Sequence, residues 1–266
     1  MTELNQAVVV LTGATGGFGK ELTKQMLQAG SRLILSDVDR ATLDSFASNI
    51  SNKITTGEII ACIASDLSSS EGCRVLYDRV KTLNVPVDIL INNAGIGLYG
   101  RMDEVPMDKW ETLMQVNLMT PMRLSSLFVG DMIDRRGGHI VNISSLAGWI
   151  APEGMAHYCS SKFGLRGFSE GLFNEVKQYN VKVTAVYPFF SRTPILQSER
   201  FGTLAQDGND FPENIATDPA VVMAKTLKAI VRNRLHVFPD RIGNIIHLIK
   251  QYSPRLFDLI SNRGFS

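Results

Sequence analysis

Cysteine is scarce in this chain of 266 residues: there are three, at positions 62, 73 and 159. Their spacing matches no metal-ligand pattern and their number is odd, so free thiols in a reducing compartment are expected. Histidine is nearly as scarce, and the four are scattered, so no metal site is expected. Neither sign of charge is in excess. With 27 Lys and Arg against 26 Asp and Glu, the net charge is +1, which gives no broad electrostatic case for nucleic acid or an anionic membrane. No run reaches the ~18 apolar residues that a membrane span requires, so no integral membrane segment is expected. The opening stretch MTELNQAVVVLTG has no basic region, long apolar region or cleavage site, which points to a cytoplasmic protein. Linkers, repeats and low-complexity tracts are also missing. A single domain over residues 1–266 is expected.

Short apolar, β-branched runs alternate with stretches of helical period. The candidate strands are residues 7–11, 32–36, 59–63, 87–91, 139–143, 181–186 and 235–238. Such alternation specifies an α/β fold, a doubly wound parallel sheet of about seven strands with helices on both faces. VVVL and VDILI read as strands buried on both sides. Residues 189–214 form a long irregular stretch carrying several large apolar side chains, and are expected to cover a substrate. Residues 240–266 form a C-terminal tail whose pattern predicts two short amphipathic helices broken at Pro254. Packing against the body or a second subunit is expected for it, ahead of membrane contact.

The stretch VVVLTGATGGFGKEL gives a strand, then a turn with Gly13, Thr15, Gly17, Phe18 and Gly19, then a helix. Glycines at this place allow a tight turn and close backbone approach to an anion, and the helix N-terminus offers unpaired N–H groups to a pyrophosphate. The next strand ends in ILSDVDR, where Asp37 lies about where an acidic residue would meet the adenosine ribose. A carboxylate there accepts from both ribose hydroxyls and repels a 2′-phosphate. No cation lies within the turn, so NAD is expected over NADP. A helix-capping role is the alternative for Asp37.

Four motifs occur in order: TGATGGFG, NNAG at 92–95, the serine pair in GHIVNISSLAG, and YCSSK at 158–162. On these the chain resembles the short-chain dehydrogenase/reductase family, over roughly residues 7 to 240. The resemblance implies a Rossmann-type oxidoreductase. It implies that Asp66 and Leu67 border the adenine, and that Asn93, Ala94 and Gly95 line the cofactor. It implies a catalytic set of Asn117, Ser145, Tyr158 and Lys162, and cofactor contacts from Pro188 and Thr193. One departure stands out: Phe189 follows Pro188, where the family usually has glycine. A different loop path is expected there.

The chemistry implied is interconversion of an alcohol and a carbonyl by hydride transfer, with no metal. A free tyrosine, with a pKa near ~10, is a poor base at neutral pH. Lys162, four residues on, is expected to lower the pKa of Tyr158, making it the general acid/base, and to hold the nicotinamide ribose. Ser145 is expected to bind the substrate oxygen, and Asn117 to hold a water that connects Lys162 to solvent. Ser144 is expected to be structural and Cys159 a packing residue. Trp149, Ile150, Phe189, Phe190 and Ile195 are expected to line an apolar pocket for a medium or large hydrophobic alcohol or ketone. A non-catalytic dinucleotide-binding regulator or scaffold is the alternative. The resemblance further implies a homodimer or homotetramer, assembled through the long helical stretches 110–132 and 158–176.

Overall fold

The computed structural model describes residues 1–206 and 216–264. Seven strands form one parallel sheet in the order β3-β2-β1-β4-β5-β6-β7. They are β1 Val8–Thr12, β2 Arg32–Asp37, β3 Glu58–Ala64, β4 Ile89–Asn92, β5 Gly138–Ile143, β6 Val181–Val186 and β7 His236–Val237. Each expected strand is found, with ends shifted by at most two residues and the sixth unshifted. The fourth runs from Ile89; Asp88, just before it, accepts the Val8 N–H on its side chain (2.9 Å) and donates its own N–H to the Val8 carbonyl (2.8 Å).

The helices are α1 Gly17–Gln28, α2 Arg40–Ser51, α3 Ser70–Thr82, α4 Met107–Met114, α5 Thr120–Asp134, α6 Ala156–Val176, α7 Thr203–Gln206, α8 Pro219–Val231, α9 Arg241–Tyr252 and α10 Pro254–Gly264. Their starts follow local chemistry. Asp39 caps α2 by accepting from Thr42, and Ser69 caps α3 by accepting from Gly72. Asp218 caps α8, with Pro219 in the first helical position, where a missing N–H costs nothing. Since Asp39 caps α2, Asp37 is not used as a cap.

The sheet separates two apolar layers. Val9 and Leu11 of β1 pack with Leu22 and Met26 of α1, Leu43 of α2, and Met223 and Ile230 of α8. Val8 and Val10, pointing the other way, pack with Leu76 of α3, Phe128 of α5 and Val176 of α6. Alternate residues of one strand thus feed opposite layers, as the two-residue period of a strand requires. Every residue of β1 is buried. The strand order reverses between β1 and β4, so the loops after these two strands diverge and leave a crevice at the carboxyl edge of the sheet.

The stretch 110–132, expected as one helix, is interrupted. A π-helical turn, Gln115–Met119, joins α4 to α5. The wider turn changes the helix phase and carries Asn117 inward, where it is fully buried. The tail forms the two expected helices, and α10 starts at Pro254.

Candidate active site

The glycine turn is shaped for close approach. Gly13 has φ +63°, and a Cβ there would lie 2.8 Å from Ala94 Cα. A Cβ on Gly19 would lie 2.0 Å from the Gly13 carbonyl oxygen. No side chain would fit at either place without moving backbone. The first turn of α1 has no acidic residue, and no side chain caps it. Its N–H groups remain free of the usual hydroxyl or carboxylate partner, which is what a pyrophosphate needs. A Cβ on Gly17 would meet the Thr193 methyl at 2.5 Å. The loop after β6 therefore rests directly on the glycine turn, and Thr193 is placed beside the cofactor cradle.

Asp37 ends β2 beside this cradle. One oxygen accepts from the Thr15 N–H (2.8 Å) and the Thr15 hydroxyl (2.7 Å), and the other from the Val38 N–H (2.8 Å). The carboxylate is fixed by the turn itself. Phe18 packs its ring against the α1 layer of the core. Asp66 is held below the ordinary carboxylate range by Ser68, through its side chain first and then its N–H, which donates to Asp66 at 2.9 Å. Leu67 is buried with Ile63 and Leu76, so its side chain packs in the core layer.

The NNAG turn is braced by a residue absent from the expected set. The Thr12 hydroxyl accepts from the N–H groups of Asn93 (3.0 Å) and Ala94 (3.1 Å). The Asn93 amide donates to the Thr12 and Gly13 carbonyls, both at 2.9 Å. One side chain from each strand end thus locks the two loops of the crevice together. Behind them, Asn92 donates to Asn142 Oδ1 (2.8 Å), and Asn142 donates to Ser169 (2.9 Å), in a buried polar chain across β4, β5 and α6. The sequence signal was available: polar residues within otherwise apolar strands need partners.

The catalytic candidates converge at the ends of β4 and β5. Ser145 lies beside Tyr158, close enough for its hydroxyl to oppose the rise in the phenol's pKa, and it accepts from the Ala147 N–H (3.1 Å). Lys162 Nζ lies 5.6 Å from the Tyr158 ring centroid and donates to the Ile143 carbonyl (3.2 Å). Gly95 lies between Asn117 and Lys162: a Cβ on it would be 3.3 Å from Asn117 Oδ1 and 3.7 Å from Lys162 Nζ. The Asn117 side chain is committed to Ile96, accepting from its N–H and donating to its carbonyl, each at 2.9 Å. It clamps the NNAG turn, a role its sequence position did not reveal.

The electrostatics correct one expectation. Burial pushes the Tyr158 phenol up to about 12, against a smaller opposing effect of the Ser145 hydrogen bond. Burial also pushes the Lys162 ammonium down to about 8. Desolvation is the leading cause for both groups, so in this state the phenol lies above its ordinary value rather than below it. The phenol is protonated across the neutral range.

Neighbouring residues fall into place. The Ser144 hydroxyl donates to the Lys162 carbonyl (3.2 Å), a structural role as expected. Cys159 is buried, and its thiol is pushed up to about 11, which makes it a packing residue and not a nucleophile. Pro188 receives a hydrogen bond on its carbonyl from the Leu146 N–H (2.8 Å). Phe189, in the place usual for glycine, donates its N–H to Asp240 (2.8 Å), and its ring meets Phe190 edge-on.

The expected pocket lining is corrected at Trp149. Its indole meets Tyr187, Phe238 and His247 edge-on, and the Arg166 guanidinium lies 3.3 Å over it. Trp149 therefore anchors α9 to the body. The apolar surroundings of Tyr158 come instead from Leu98, Leu113 and Ala147, with Met155, Ile195 and Phe201 partly buried beside them. The loop after β6 is fastened over this cluster. Tyr99 N–H donates to the Glu199 carbonyl (3.1 Å), Phe201 N–H donates to the Tyr99 carbonyl (2.8 Å), and Lys109 pairs with Glu199 (2.9 Å). The rest of the expected covering loop, beyond residue 206, lies outside the described residues.

The family model for short chain dehydrogenases matches residues 7–202. The chain belongs to that family. It is a Rossmann-fold, NAD(P)-binding oxidoreductase. The chain is 31% identical over 250 residues to mouse epidermal retinol dehydrogenase 2, covering 93% of this chain and 78% of that one. Among solved structures it resembles a short-chain dehydrogenase/reductase from Burkholderia phymatum in complex with NAD, at TM-score 0.83 and 24% identity, covering 96% of both chains. It also resembles a short-chain dehydrogenase from Sphingobium yanoikuyae in complex with NADPH, at TM-score 0.79 and 23% identity, covering 97% and 95%. At these identities the two structures speak to the fold. No helix among the described residues is long and apolar enough to cross a membrane.

Proposed function

We propose that the protein is an NAD-dependent dehydrogenase/reductase that interconverts a hydrophobic, medium to large secondary alcohol and its carbonyl. The observation that carries this reading is Tyr158: a buried phenol, beside Ser145 and close to Lys162, set among Leu98, Leu113 and Ala147. A polar reacting centre with apolar walls selects a ligand that is itself a polar carbon on an apolar body. The retinol named for the mouse relative has the same apolar body, although its alcohol is primary.

The cofactor cradle fits a dinucleotide. The glycine turn leaves room that a Cβ would fill, the uncapped start of α1 suits the pyrophosphate, and Asp37 suits a ribose with a free 2′-hydroxyl. Asp66 would border the adenine, and Asn93 to Gly95, Pro188, Thr193 and Lys162 would hold the nicotinamide half. When bound, the nicotinamide supplies or accepts the hydride. The chain moves the proton. In reduction, Tyr158 donates its phenolic proton to the carbonyl oxygen as the hydride reaches the carbon, and Ser145 donates a hydrogen bond to the same oxygen. The protonated phenol is the form ready for this direction. In oxidation, Tyr158 as the phenolate takes the hydroxyl proton, and the Lys162 ammonium stabilises that phenolate until it does. Assembly as a homodimer or homotetramer through α5 and α6 goes with this reading.

The experiment is a panel of secondary alcohols with NAD, and the matching ketones with NADH and NADPH, graded from short aliphatic to terpenoid. Turnover that rises with apolar size and is lost in Tyr158→Phe supports the proposal. NADH binding without turnover across the panel would favour a non-catalytic dinucleotide-binding role.

A further inference from the structure

The last two helices leave an apolar face uncovered. Ile242, Ile245, Leu248 and Tyr252 of α9 are 44%, 48%, 43% and 77% exposed, and Leu256 and Leu259 of α10 are 47% and 59% exposed. Within each helix the spacing of three and four places them along one stripe, and the two helices are separated only by Ser253. The opposite face of α9 is used. His247 stacks on Phe238 at 3.9 Å and meets Trp149, and Gly243 approaches the Phe189 Cβ, since a Cβ on Gly243 would lie 3.3 Å from it. The stripe is therefore held outward by contacts on its back, where α9 meets Phe189 of the loop after β6.

The charge of this segment differs from the rest of the chain. Residues 241–266 carry Arg241, Lys250, Arg255 and Arg263 against Asp258, a net of +3. The whole chain is +1, so residues 1–240 are −2. The near-neutral total conceals this separation. Arg241, Lys250 and Arg255 lie on the same two helices as the stripe, and long basic side chains can carry their charge away from an apolar surface they border. A twofold contact between two copies of this face would set +3 against +3, which disfavours self-association there. At 12 and 11 residues, α9 and α10 are too short to span a bilayer but suit its interface.

We propose that α9 and α10 form a docking surface for an anionic lipid bilayer, with Ile242, Ile245, Leu248, Tyr252, Leu256 and Leu259 entering the interface and the basic residues meeting lipid phosphates. Docked in this way, the protein takes up its apolar substrate from the lipid phase, through the Phe189 side of the site.

The test is co-sedimentation of the full chain with vesicles of phosphatidylcholine alone and of phosphatidylcholine mixed with phosphatidylglycerol. Binding is expected to the mixed vesicles, to weaken as salt rises, and to fall at least about tenfold in the double variant Ile245→Glu/Leu248→Glu. Reduction of a water-soluble ketone by that variant should be unchanged, because neither residue belongs to the site. A second variant, Leu256→Glu/Leu259→Glu, guards against misfolding of α9. Binding to neither vesicle, or equal binding to both, would overturn the proposal. So would self-association abolished by the same variants without vesicle binding, which would assign the face to a second copy. Vesicle binding is read without turnover, so its failure is separable from failure of the proposed enzymatic activity.

Discussion

Asp240, which immediately precedes α9, accepts a hydrogen bond from the Phe189 N–H at 2.8 Å. The tail is thereby tied to the first residue of the loop that places Thr193 on the glycine turn. Asp240 is buried and its other carboxyl oxygen has no partner among the described residues. Asp240→Asn keeps an acceptor and should preserve activity. Asp240→Ala removes it, leaves the Phe189 N–H unpaired, and should cost about 1–3 kcal/mol of stability. Urea titration with steady-state kinetics on both variants checks this, and equal behaviour of the two would contradict it.

Tyr158→Phe should retain the fold and NADH binding, because the phenyl ring keeps its packing with Leu98 and Ala147. Loss of the proton donor should lower kcat about 10²–10⁴-fold. Stopped-flow or steady-state rates together with NADH fluorescence titration measure the two effects separately.

Lys162 is held down at about 8 in the fold, against 10.5 for the free group. An unfolded chain therefore binds more protons than the folded one between about pH 8 and 10.5, and the Lys162 contribution to stability rises with pH in that window. Tyr158, pushed up to about 12 from 10.0, acts oppositely: its contribution falls between those values. The difference in urea midpoint between wild type and Lys162→Met should thus become more favourable to wild type from pH 8 to pH 10. A difference that stays flat or narrows would contradict the assigned burial effect.

Asp37→Ala should weaken NADH binding by on the order of 10–100-fold, since hydrogen bonds to a charged group contribute about 1.5–3 kcal/mol. NADPH should be affected less, because the same change removes a repulsion. Titration with both nucleotides decides. Stronger binding of NADPH than NADH by the wild type would sink the assigned preference.

Asn117→Ala removes both hydrogen bonds to Ile96 and leaves that backbone pair without its buried partner. Lower stability by about 1–3 kcal/mol is expected, with activity reduced through displacement of the NNAG turn. Hydrogen exchange at the Ile96 amide is the direct readout, and unchanged protection there would count against the clamp.

The sequence by itself determined the sheet. Runs such as VVVLT and ILIN are apolar enough to be buried on both faces, and their alternation with helical periods leaves a doubly wound parallel arrangement as the solution. It also determined the glycine turn, because Gly13 and Gly19 stand where no side chain fits. The catalytic set could be read from its order along the chain. Other features depended on distance in space. The π turn that buries Asn117 arises from packing between α4, α5 and α6, and no local propensity encodes it. The Trp149 indole could have faced a substrate. Tyr187, Phe238 and His247, from distant segments, converge on it and pack against its ring. The phenol's charge state depended on burial, which a sequence spacing of four residues cannot report. The separation of charge between tail and body was written in the sequence. Only the tertiary structure decided that the apolar stripe beside those charges faces outward, because the other side of α9 is already occupied by Phe238, Trp149 and Phe189.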